Sequence, residues 1–125
     1  MIRRSIALVA ALAMMSTPVF AHGRAAHGGQ LVEVNQYQFE FVLENAQTAP
    51  HIDMYVIDPK DKAVTTAKIQ LRVTAPDGKK LVIPLKYEEN HYTAQLGSKA
   101  KGDYNVVVLS TVGKQKLNSR FSFKI

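Results

Sequence analysis

A chain of 125 residues, 46% of them hydrophobic and none of them cysteine, has room for one domain with its own core. The missing cysteine excludes thiol catalysis, thiolate metal sites and disulfides. The 16 Lys and Arg outweigh 10 Asp and Glu for a formal charge of +6, but the lysines are scattered from Lys60 to Lys124, which reads as a solvated surface and not a nucleic-acid patch.

Residues 1–21 have a secretory layout. Arg3 and Arg4 form the charged start, Ile6 to Met15 the apolar region, and Ser16-Thr17-Pro18 the break. Val19-Phe20-Ala21 then supplies small residues at the −3 and −1 positions for cleavage after Ala21. Cleavage after Ala25 is second choice, because it sets Arg24 beside the cut. The apolar region is shorter than the about 20 residues a spanning helix needs, so no membrane span is expected in the mature chain. Loss of Arg3 and Arg4 leaves 14 cations against 10 acids, a net +4. The signal points to export into a bacterial periplasm. The mature chain would begin at His22, with residues 22–29 a flexible arm and residues 30–125 the folded domain.

From Leu31 onward the hydrophobic period is two. Leu31 to Val34 is a short strand; Tyr37, Phe39, Phe41 and Leu43 then face one way and Gln38, Glu40 and Val42 the other. Ile52, Met54 and Val56 point inward, opposite His51, Asp53 and Tyr55. Asp58-Pro59-Lys60-Asp61-Lys62 is turn chemistry. Ile69, Leu71 and Val73 lead to Pro76-Asp77-Gly78, a hairpin signal, after which Leu81, Ile83 and Leu85 return. Tyr87 to Asn90 reads as a turn, and Tyr92, Ala94 and Leu96 as the next inward set. The run Val106-Val107-Val108-Leu109 reads as a central strand covered on both sides. Phe121, Phe123 and Ile125 close the chain on one face. Seven to eight short strands at this spacing predict an all-β, two-sheet antiparallel sandwich of immunoglobulin-like type, with a small barrel as the alternative.

Four imidazoles outlast the signal: His22, His27, His51 and His91. A mature His22 would add a free amine to its ring, a bidentate grip that no internal residue offers. Imidazole suits Cu(II) and Zn(II), whereas soft Cu(I) calls for Cys or Met clusters. Only Met54 survives cleavage, and its parity places it in the core. His51 and His91 have outward parity, available to a metal but needing none. No enzyme is expected: the serines lack a nucleophile-elbow context, and Glu88-Glu89 are neighbours whose side chains point apart. Gly28-Gly29 precedes a strand and is no phosphate loop. The competing class is an interaction module without metal, docking through an edge strand or through an outward face containing Tyr55.

His27-Gly28-Gly29, then Tyr37-Gln38-Phe39-Glu40-Phe41-Val42, Ile52-Asp53-Met54-Tyr55-Val56-Ile57-Asp58 and Arg120-Phe121-Ser122-Phe123 resemble small exported bacterial β-sandwich proteins and the N-terminal periplasmic domain of heavy-metal efflux adaptors of the resistance-nodulation-division type. The resemblance spans residues 27–125. It implies a periplasmic sandwich tied to divalent metal or copper handling, with His27 as the one ligand carried over. A metal ion is the expected partner, and an efflux-system or envelope protein is the docking target of the competing class. Without the hairpin and barrel domains of a full adaptor, the chain is not expected to bridge a pump to an outer-membrane channel; the arm and the resemblance together point to a metal buffer or carrier for efflux machinery. A mature His terminus is also similar to that of periplasmic copper-carrier sandwiches, a likeness that stops at His22.

Overall fold

The computed structural model describes residues 26–125. His22 and the signal-like segment lie outside the described residues. The strands are β1 (Gln30–Val34), β2 (Tyr37–Glu44), β3 (His51–Ile57), β4 (Lys68–Thr74), β5 (Lys80–Pro84), β6 (Lys86–Glu88), β7 (His91–Gln95), β8 (Asp103–Val112), β9 (Gln115–Lys116) and β10 (Ser119–Lys124). They form two five-stranded antiparallel sheets, a two-sheet all-β sandwich without helix among the described residues. The first sheet has the order β1-β2-β3-β7-β6. In the second, the order is β9-β8-β4-β5, with β10 also paired to β8.

The ten described strands exceed the expected seven to eight by two short ones. Tyr87 and Glu88, read as the start of a turn, belong with Lys86 to an edge strand that pairs with β7. Gln115–Lys116 is a two-residue extension that folds back on the end of β8. The chain changes sheets at Leu85, whose N–H donates to the Ile69 carbonyl (2.9 Å) just after Pro84 ends β5. Proline has no N–H to give a neighbour and so belongs at an edge.

Alternation puts Phe39, Phe41, Ile52, Met54 and Val56 of the first sheet against Leu71, Val73, Val106, Val108 and Phe121 of the second, all of them buried. Phe41 stacks on Phe121 (centroids 4.9 Å apart) and Phe123 (5.4 Å), which locks β2 over β10. Gln30 Nε2 donates to the Ser122 carbonyl (2.6 Å) along the same side, tying β1 to β10. Two buried tyrosines latch loops. Tyr92 Oη donates to the Val64 carbonyl (2.7 Å) and accepts from Ala67 N–H (3.0 Å). Tyr104 Oη donates to the Ala100 carbonyl (2.7 Å).

The same alternation sorts charge. On β4, β5, β8, β9 and β10 the outward positions include Lys68, Arg72, Lys80, Lys116, Arg120 and Lys124, with Asp103 opposite Lys124 as the acid among them. On the first sheet the outward positions include Glu33, Glu40, Glu44, Asp53 and Glu88, against Lys86. Four of the eleven lysines that look scattered along the sequence, Lys68, Lys80, Lys116 and Lys124, are thus collected by strand pairing with Arg72 and Arg120. The run Val106–Leu109 is also not covered on both sides. Val106 and Val108 are buried, while Val107 and Leu109 stay half-buried on the outer, cationic face.

Candidate functional site: the outer face of the first sheet

His27 enters the site through the turn that leads into β1. Gly28 has φ 76°, a conformation that favours glycine. Gly29 runs so close to β2 that a Cβ would collide with the Phe41 backbone carbonyl. That approach brings two amides onto one side chain of β2. Glu40 Oε2 accepts from His27 N–H (2.8 Å) and Gly29 N–H (2.9 Å), and Oε1 meets His27 Nδ1 at 2.8 Å. Glu40 points to the outer face, yet only 4% of it is exposed. A carboxylate so enclosed needs donors, and the turn supplies three. With Nδ1 as the donor to Glu40, the lone pair of the ring is on Nε2.

The His27 ring lies flat on Tyr55 (3.5 Å, 6°). Tyr55 is the cross-strand partner of Glu40, which explains why the residue that clamps His27 and the ring that supports it are neighbours. His91 leans on the same tyrosine (5.2 Å, 36°). Burial pushes the Tyr55 phenol above its ordinary value, and the charges of Asp53, Glu40 and Glu44 push it further. At neutral pH this tyrosine therefore contributes a protonated ring and no phenolate.

Asp53, 7% exposed, is the second enclosed carboxylate. Thr93 Oγ1, on the paired residue of β7, donates to its Oδ1 (2.7 Å). His91 Nε2 stands 3.5 Å from Oδ1, and His51 Nε2 stands 3.7 Å from Oδ2. His91 Nδ1 meets Asn90 Oδ1 at 3.0 Å. His27, His51 and His91 therefore share one sheet face, around two acids and one tyrosine. Among the described residues, no three His, Asp or Glu side chains converge closely enough to hold one ion as they stand.

Sequence reasoning named the histidines but missed Glu40 and Asp53. The available signal was parity: both are acids at outward positions of interior strands, where a lone carboxylate needs a partner.

The class defined by this geometry is an antiparallel β-sandwich with a histidine–carboxylate face on one sheet. No family model matches the chain, and no curated protein matches it. Among solved structures it is similar to the crystal structure of a DUF4426 family protein from Pseudomonas aeruginosa PAO1. The TM-score is 0.62 with 16% identity, over 77% of this chain and 96% of that one. At that identity the likeness shows the fold alone. Among the described residues no helix is long and apolar enough to cross a membrane.

Proposed function

We propose that the protein is an exported metal-handling sandwich that binds a Cu(II)- or Zn(II)-type ion loosely on the outer face of the first sheet, as a periplasmic buffer or carrier for efflux machinery. The observation that carries this reading is the fastening of His27 Nδ1 to the enclosed Glu40 (2.8 Å). Metal-ligating histidines commonly give their second nitrogen to a carboxylate, which fixes the tautomer and raises the basicity of the ligating nitrogen. His27 Nε2 is prepared in this way. A second support lies at Asp53. Two ligands on a tetrahedral ion with bonds near 2.1 Å stand ~3.4 Å apart. The pairs His91–Asp53 and His51–Asp53, at 3.5 and 3.7 Å, are close to that spacing. Because the two pairs use opposite oxygens, an ion held by His27 would gain from this pair of sites one imidazole and one carboxylate oxygen at a time. His22, if it is the mature terminus, would add an amine and a ring. Such partial ligation means weak, exchangeable binding, as a carrier requires.

The second reading, a docking module without metal, draws on Tyr55, a half-buried aromatic between two imidazoles.

Calorimetric titration of Cu(II) and Zn(II) into the purified protein, its N-terminus read by mass spectrometry, separates the two. A saturable one-to-one site is expected, weakened about tenfold or more by Glu40→Gln through loss of the fixed tautomer. No saturable site on a chain that starts at His22 would overturn the metal reading and leave the docking module.

A further inference from the structure

The outer face of the second sheet has no part in the histidine site, and it is built differently. One cross-strand row reads Arg120-Val107-Arg72-Val82, set by the pairing of β10 with β8, β8 with β4, and β4 with β5. Lys80 lies one row to one side, in register with Thr74 and Asn105. Two rows to the other side, Lys116 and Lys68 flank Thr111. Among the described residues none of these cations makes an ion pair. Val82, 61% exposed, is the one large hydrophobic side chain among the described residues that stands out in solvent. A sheet face of unpaired cations with apolar side chains between them, and almost no acid, is unusual where both signs are normally interspersed.

We propose that this face docks on an anionic phospholipid bilayer. Charge is spread over the whole sheet and not focused in a cleft, so it matches a planar polyanion better than a single bound anion. Arg72 and Arg120 would meet headgroup phosphates. Val82 and the half-buried Val107 between them would enter the interface, adding apolar contact to charge. The opposite face is acidic, so the bilayer repels it, and the molecule's own charge asymmetry sets the orientation. A docked molecule turns its histidine–carboxylate face to solution. The proposal does not depend on metal binding.

The test is sedimentation of the purified protein, matured from its full gene, with vesicles of phosphatidylcholine containing about one quarter phosphatidylglycerol, set against pure phosphatidylcholine. The working salt is about 50 mM and the challenge about 500 mM, where surface charge is screened. Arg72→Glu/Arg120→Glu reverses two exposed cations of the face, and Lys60→Glu/Lys62→Glu makes the same charge change in the β3–β4 turn. Circular dichroism checks that both stay folded. The expected result is a clear excess of binding to the anionic vesicles, lost at high salt. The face variant should weaken it by at least about tenfold and the turn variant by less than about threefold. Three results overturn the proposal. One is equal binding to both vesicle types. Another is equal loss in both variants, which would make net charge the whole cause. The third is self-association without vesicle binding, abolished by the face variant, which would make the acidic face of a second copy the partner.

Discussion

Glu40 shows how one outward residue can organise a site. Phe39 and Phe41 are buried on either side of it, so pleating alone sends Glu40 outward. On an open sheet it would be solvated. It is enclosed here because the turn before β1 lies over it and spends three N–H groups on its two oxygens. Glu40→Gln keeps the shape but places an NH₂ against donors. The expected cost is about 1–3 kcal/mol of stability, the penalty for buried donors left without an acceptor. The amides of His27 and Gly29 should then exchange hydrogen much faster than those of β3. Thermal unfolding and amide exchange by NMR would read both. Unchanged protection at His27 would mean that the turn is held by something other than Glu40. The sequence shows Glu40 pointing outward; it does not show the enclosure, which depends on a glycine passing close to the backbone of β2. A turn of Gly and His has no hydrophobic period, so residues 27–29 read as an arm.

At the scale of elements, what was legible follows the range of the interaction. Pro76-Asp77-Gly78 announces its hairpin, and the structure has Gly78 at φ 86° with Asp77 Oδ1 accepting from Lys79 N–H (3.1 Å). Asn35-Gln36 makes the β1–β2 turn with both residues at positive φ, a role that sequence assigns to Asn but rarely to Gln. Asp58 holds the β3–β4 connection: Oδ1 accepts from Lys60 N–H (2.8 Å) and Lys62 N–H (2.9 Å). The Lys62 amide is the main reason its carboxyl lies below the usual range, with the Lys60 amide and the two lysine charges adding to it. A depressed folded value means that the stabilisation is present above the unfolded value and is lost as pH falls through the folded one. Asp58→Ala should therefore melt lower than the parent near neutral pH, and the gap should narrow below about pH 4. Melting curves across that range decide it. A gap independent of pH would show that the turn depends on the shape of Asp58 and not on its charge.

For the whole molecule, parity and pairing carry different information. Parity is local, and it shows that Lys68, Arg72, Lys80 and Arg120 point out of the core as plainly as Glu33, Glu40 and Asp53 do. It does not show which of two outer faces each one joins. That depends on which strands share a sheet, and β4 finds β8 across some thirty intervening residues of chain, a contact no local pattern encodes. The result is a sandwich with opposite charge on its two outer surfaces and only a modest net charge. A molecule of this kind should meet a charged plane face first. Cation-exchange chromatography tests the asymmetry without any lipid. Arg72→Glu/Arg120→Glu and Lys60→Glu/Lys62→Glu carry the same net charge, so a uniform charge distribution would elute them together. Sorted charge predicts that the Arg72 and Arg120 variant leaves the resin at distinctly lower salt, because it breaks the row that meets the surface. Co-elution would mean that retention follows net charge alone. Separation in the predicted order would establish the second sheet as the face this protein turns toward negative charge, and the histidine–carboxylate sheet as the face it turns away.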